Sequence, residues 1–219
     1  QAKLLYRRNL LVRERILAEY GNAPDILYDL SQSIDRLALL SWSTGELEDA
    51  REGYLRSLEI NEQLLENFFS KRDGVEILTP ILFSLGEIDW EAGKSDRALL
   101  NFKRCFALFE QQIFDVGELP CDLERFGACL MVVAKMYQKI EDYDQARAHY
   151  KQSQSIFERL LTEFGESPLR LFSFNIACDS VAYLDQVCGS IDQARAGYLK
   201  SLCAWERFIT EFGETPDRW

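Results

Sequence analysis

Histidine is nearly missing from this sequence: among 219 residues only His149 carries an imidazole. Any Ser–His or Cys–His catalytic pair would have to use that one side chain. It stands between Ala148 and Tyr150, in a slot held elsewhere by Gly53, Asn101 and Gly197, and reads as a surface or packing histidine. Basic residues are in deficit too, 25 against 36 acidic, for a net charge of −11. Nucleic-acid binders need a basic stripe to displace counterions, so no nucleic acid is expected as partner, and anionic membranes are disfavoured on the same ground. Long apolar runs are lacking as well. The longest, ACLMVVA (128–134), falls far short of the roughly 20 residues that a bilayer span needs. The opening QAKLLYRRNL carries charge where a signal peptide would need an apolar core. The six cysteines (105, 121, 129, 178, 188, 203) include no CxxC pair and no short metal-ligand spacing. Four of them stand in apolar helical contexts and read as small buried thiols rather than disulfides. No glycine-rich phosphate loop, zinc spacing or nucleophile motif occurs. The expectation is a cytoplasmic protein, not an enzyme, with no cofactor and no metal.

What is there is repetition. Residues 146–168, ARAHYKQSQSIFERLLTEFGESP, are nearly restated at 194–216 as ARAGYLKSLCAWERFITEFGETP. The same 48-residue step carries Ala50 to Ala98, Ala146 and Ala194. Proline keeps it at Pro24, Pro120, Pro168 and Pro216, with Arg72 in the remaining slot. Tyr6, Tyr54, Phe102, Tyr150 and Tyr198 keep it, as do Glu14, Glu62, Glu110, Glu158 and Glu206. Four residue types on one period make a tandem array.

Each repeat reads as two helices. The first begins at the proline, whose missing N–H has no partner in a first helical turn anyway. Leu30, Ile34, Leu37 and Leu40 give it helical apolar spacing. A turn (TGE, AGK, CGS, and IED in the third repeat) leads to the second helix, with Ala50, Tyr54, Leu58, Leu65 and Phe68 as its apolar stripe. That helix stops at YGNAP, VGELP, FGESP and FGETP, where glycine is expected to take a left-handed cap. One pair cannot cover its own apolar face, so neighbours must stack. The repeated glutamates lie at the stripe's edge and read as inter-helix bonds rather than catalytic acids. Pro80 falls inside a first helix, where a kink or a late start between Ile77 and Ile81 is expected.

These residues resemble a lengthened tetratricopeptide repeat (TPR), whose minimal form is about 34 residues. The turn glycine Gly45, then Ala50, Tyr54 and Leu58, fall at that family's spacing, and Ala38, Gly86, Ala134 and Ala182 match its small residue where the two helices cross. Phrases such as DLSQSIDR and GYLRSLEINEQLL are similar to long-helix arrays of large bacterial proteins. The resemblance implies an all-α fold: a right-handed superhelical solenoid of antiparallel pairs, with about nine helices. Its parts are a lone second helix (1–23), full repeats at 24–71, 72–119, 120–167 and 168–215, and the start of another at 216–219. Glu141 departs from the pattern by replacing the turn glycine.

The resemblance also implies a concave groove lined by first helices. Its positions here are Tyr28, Gln32, Asp35, Leu39 and Trp42, then Glu76, Pro80, Phe83, Glu87 and Trp90. The third repeat supplies Glu124, Ala128, Met131, Lys135 and Gln138, and the fourth Phe172, Ile176, Asp179, Tyr183 and Gln186. These positions do not repeat, unlike the core stripes. Structural sites in a solenoid repeat, whereas a surface shaped for one ligand does not. The mixture of aromatic and acidic residues suits a peptide or helix with apolar anchors and Lys or Arg. The aromatics also fit a second reading, as cover for neighbouring helices.

Two readings of function follow. One is a scaffold that binds a partner protein in this groove; the other is an intramolecular regulatory or self-association array of a larger signalling protein. Residues 1–23 carry a net +3 against −6 over 24–71, which suits contact complementarity or a solvated face equally. The chain opens at Ala2, in a second helix without its partner, and closes with PDRW, which aligns with PDIL (24–27). A fragment of a longer array is expected, with processed natural termini as the alternative. Its ends, at Tyr6, Leu10, Phe208 and Phe212, are expected to be exposed and to favour end-to-end self-association.

Overall fold

The computed structural model describes residues 2–69 and 71–213; Pro216 and the PDRW segment lie outside the described residues. Among the described residues the chain forms nine α-helices and no strand. They are α1 (Ala2–Tyr20), α2 (Pro24–Ser43), α3 (Leu47–Asn67), α4 (Lys71–Glu91), α5 (Ser95–Val116), α6 (Pro120–Lys139), α7 (Tyr143–Phe164), α8 (Pro168–Val187) and α9 (Ile191–Phe212). They fall into two compact units, Gln1–Gly117 and Glu118–Trp219. Within each, helices consecutive in the chain pack on one another.

Proline opens α2, α6 and α8 at the first helical turn. Each turn between paired helices passes through a positive φ: Gly45 at 80°, Gly93 at 73°, Gly189 at 79°, and Glu141 at 61°. Glu141 has a Cβ that the left-handed region crowds, so the third turn holds the array's phrase at a local cost. At the far ends of α5, α7 and α9, φ is positive as expected, but ψ is extended: Gly117, Gly165 and Gly213 sit at ψ 178°, 174° and 173°. This is not a left-handed helical cap. It is a region open essentially to glycine alone, and after α5 and α7 it leads within two residues to the extended Leu119 and Ser167 that precede the next proline.

In unit 1, Leu27, Leu30 and Ile34 of α2 pack with Ile60 and Leu64 of α3, and Leu10 and Leu17 of α1 close over them. The α3 stripe therefore ends at Leu64. Phe68, expected in it, follows the last helical residue and is 54% exposed. In unit 2, Ala134, Ala146, Tyr150, Val181 and Leu184 join α6, α7 and α8. Helix pairs cross at the small residues. A Cβ on Gly53 would stand 2.8 Å from that of Ala38, and one on Gly197 would stand 2.8 Å from that of Ala182. In α7 the matching slot holds His149, whose ring lies stacked on Tyr137 at 5.4 Å. It is a packing histidine, and burial pushes its pKa down.

Polar residues repeat with the core. Cys105 donates to the Thr79 carbonyl (3.6 Å), and Ser153, one period later, donates to the Gly127 carbonyl (2.8 Å). The repeated glutamates bridge second helices: Glu14 pairs with Arg56, Glu62 with Arg104, and Glu158 with Lys200. Two buried aspartates tie first helices to the preceding second helix. Asp89, with 0% side-chain exposure, meets Arg51 at 2.7 Å and also accepts from Asn101 at 3.2 Å. Asp185 pairs with Arg147.

Three further expectations change. α4 starts at Lys71 and continues as one α-helix through Pro80, so there is no late start. Proline deprives the Glu76 carbonyl of its donor, but both residues are exposed, which leaves that carbonyl to water. Only Cys105, Cys129 and Cys178 are buried, while Cys121, Cys188 and Cys203 are exposed free thiols. Phe208 is 2% exposed and Leu10 packs on the α2–α3 core, so neither is an open end.

Candidate functional site

Side chains spaced four, three, four and three residues apart share one helix face, since 3.6 residues make a turn. The candidate positions of α2, α4, α6 and α8 are so spaced, and each is exposed or half-buried rather than core. Tyr28 is exposed and meets Phe69 edge-on at 6.4 Å. Gln32, Asp35 and Trp42 are half-buried; Leu39, Glu76 and Pro80 are exposed. Phe83 is half-buried, edge-on to Phe102 at 5.3 Å, and Glu87 and Trp90 are half-buried beside the α4 core.

In unit 1 several of these come together. Trp42 of α2 donates its indole N–H to Glu91 of α4 at 2.8 Å. Burial raises the Asp35 carboxyl to about 6, against a Ser57 hydrogen bond that favours its charged form. Burial also raises Glu87, and the negative charge of Glu91 adds to that rise. Burial raises the Tyr54 phenol, a Ser84 hydrogen bond opposes this, and the charges of Asp35 and Glu87 push it further up. Asp35, Tyr54, Glu87, Glu91 and Trp42 thus form one electrostatically linked, partly desolvated group. Glu91 was not among the sequence candidates. It follows Trp90 directly but lies off the transferred pattern, and only the Trp42 contact reveals it.

In unit 2 the matching positions are more closely tied to neighbours. Glu124 pairs with Arg170 at 2.7 Å, Met131 packs on the α6–α7–α8 core, and Gln138 accepts from Tyr150 at 3.4 Å. Phe172 meets Trp205 edge-on at 5.9 Å, and Gln186 accepts from Tyr198 at 3.2 Å. Asp179 is half-buried, while Ala128, Lys135, Ile176 and Tyr183 are exposed. Among the described residues no group of three or more His, Cys, Asp or Glu is placed to hold a metal ion. No helix among them is long and apolar enough to cross a membrane.

No family model and no curated protein matches the chain. Solved structures do. The chain is similar to BtubC (BKLC) from P. vanneervenii at 19% identity and a TM-score of 0.71, over 100% of this chain and 77% of that one. It is similar to a putative kinesin light chain from Podosopora anserina with nearly identical TPR-like repeats, at 17% identity and a TM-score of 0.61, over 94% and 89%. MamA follows at 15% identity and a TM-score of 0.57, over 94% and 91%. Identities this low speak for the fold. The protein is an all-α, TPR-like helical repeat array.

Proposed function

We propose that the chain is a non-enzymatic interaction scaffold, and that the face formed by residues 24–91 binds a partner peptide or helix presenting Lys or Arg between apolar side chains. One observation carries this reading: two half-buried tryptophans stand with carboxylates whose charge is only partly compensated. Desolvation holds Asp35 and Glu87 above their usual range, and the charge of neighbouring Glu91 pushes Glu87 further up. An incoming cation would relieve that stress, and the indoles supply anchoring area. The TPR-like fold supports an interaction role in general.

A displayed random-peptide library selected on the chain tests it. Selected peptides should combine a basic residue with apolar ones. Trp42→Ala or Trp90→Ala should weaken their binding by about 1–3 kcal/mol. Affinity should rise as pH is raised through about 6, because ionised Asp35 is the form that attracts the cation. Peptides without basic residues, or binding indifferent to both tryptophans and to pH, would refute the proposal.

A further inference from the structure

α9 presents an apolar face that its counterpart in α7 keeps covered. Tyr150 of α7 is buried, together with Ala146, beneath Val181 and Leu184 of α8. Gln154 of α7 lies against Cys178 of α8, and Arg147 pairs with Asp185. One period later, Tyr198, Leu199 and Leu202 of α9 are exposed beside Arg195, around a cleft of about 410 Å³ that Ile191 also lines. Among the described residues Arg195 has no acidic partner. Leu202 replaces the half-buried Gln154 of α7, and Leu199 stands where α7 has the exposed Lys151, so α9 is more apolar over and beside the slot that α8 covers in α7.

Unit 1 repeats the covered arrangement with different residues. Arg51 of α3 pairs with Asp89 of α4, and Leu82, Leu85 and Ile88 precede that aspartate in the buried face. In α8 the same spacing reads Cys178, Val181, Leu184, Asp185. Both helices that cover an arginine-bearing second helix thus carry apolar residues three apart, with an aspartate directly after the last. The arginine is not a fixed habit of the slot, because Leu99 holds it in α5.

We propose that the outer face of α9 docks a helix of a partner protein that carries this signature, three apolar residues three apart followed at once by an aspartate that pairs with Arg195. A second copy fits less well. Its own signature helices, α4 and α8, already cover α3 and α7. Its exposed α1 carries Arg7, Arg8 and Arg15, which would set like charge against Arg195. This surface shares no residue with the face formed by residues 24–91.

The probe is a fluorescent synthetic peptide with the sequence of residues 168–187, titrated onto the full chain by anisotropy. Saturable 1:1 binding is expected, weakened about tenfold or more by Arg195→Glu in the chain or by Asp185→Arg in the peptide, and restored when the two are combined. Circular dichroism should show unchanged helix content for Arg195→Glu, since the side chain is exposed. A photo-crosslinker at peptide position 181 should label α9. Three results would overturn the proposal: binding blind to both charge changes, labelling of α7 (the peptide having replaced α8), or self-association of the chain that the peptide fails to displace.

Discussion

In unit 1 the first helices carry Trp42 and Trp90 with Asp35, Glu76 and Glu87, whereas the matching faces of α6 and α8 carry Met131, Phe172 and Tyr183 with Lys135 among them. The joints differ in the opposite sense. Unit 2 clamps each second helix to the segment before its pair, by Glu118–Arg159 and, one period later, Glu166–Arg207. In unit 1 those slots hold the neutral Asn22 with Gln63 and Ser70 with Gln111. Among the described N-caps, side-chain caps follow the same division: Asp142 accepts from the Gln145 N–H and Ser167 from the Arg170 N–H, both in unit 2. Unit 2 keeps its phrase and ties its joints; unit 1 varies its face. A recognition surface is expected where repetition has been given up.

Six substitutions, in four tests, sharpen or break that contrast. Arg51→Ala should be the most damaging, at about 3–5 kcal/mol in urea unfolding, because it leaves the fully buried Asp89 uncompensated. Arg147→Ala should cost less, since Asp185 keeps 5% side-chain exposure. Equal losses would mean that the small difference in burial does not matter.

Leu85→Ala, in a fully buried position, should cost roughly 2–5 kcal/mol. Trp90→Ala, half-buried at the candidate face, should lower the melting temperature less. If the two unfold the chain alike, Trp90 is packing and the contrast between faces loses its meaning.

Asp35→Asn should stabilise unit 1 by about 1–2 kcal/mol at pH 7.5. The folded carboxyl titrates near 6 against an ordinary value of 3.8, so the folded state binds more protons between those values and wild-type stability falls as pH rises through that window. The advantage of asparagine should vanish below about pH 4, where Asp35 is protonated in both states. A variant no more stable than wild type at pH 7.5 would show that the Ser57 bond, not burial, dominates.

The smallest effect belongs to a turn. Glu141→Gly should stabilise by about 1 kcal/mol, since the backbone there already takes a left-handed φ of 61°. A destabilised variant would give Glu141 a contact role in place of strain.

Architecture was legible because its signals repeat. Pro24, Pro120 and Pro168 each open a helix, and Ala38 and Ala182 meet Gly53 and Gly197 at van der Waals range, where only small residues fit. What misled was local context without neighbours. Phe68 continues an apolar spacing past the end of its helix, and Phe208 reads as an end until Trp205, at 5.6 Å, and Phe212, at 5.8 Å, close around it. Pro80 reads as a break until the helix proves to run on through it, with Pro80 and Glu76 both exposed. The site was legible only as a face. Its linkage through Glu91 and Tyr54 depends on two helices 49 residues apart in sequence meeting at one indole, and no period announces a contact that occurs once.

Asp89 has a meaning for assembly as well as for stability. Its charge is met from two sides, by Arg51 of the preceding helix pair and by Asn101 of its own. In an array of near-identical phrases, wrong neighbours are the chief hazard of folding, because almost any apolar stripe will cover almost any other. A carboxylate with 0% exposure is indifferent to none of them. A helix that arrives without the matching arginine strands a bare charge in an apolar seam, which costs several kcal/mol. The residue therefore acts as a proofreader, rejecting apolar matches that are good enough to stick and wrong in order.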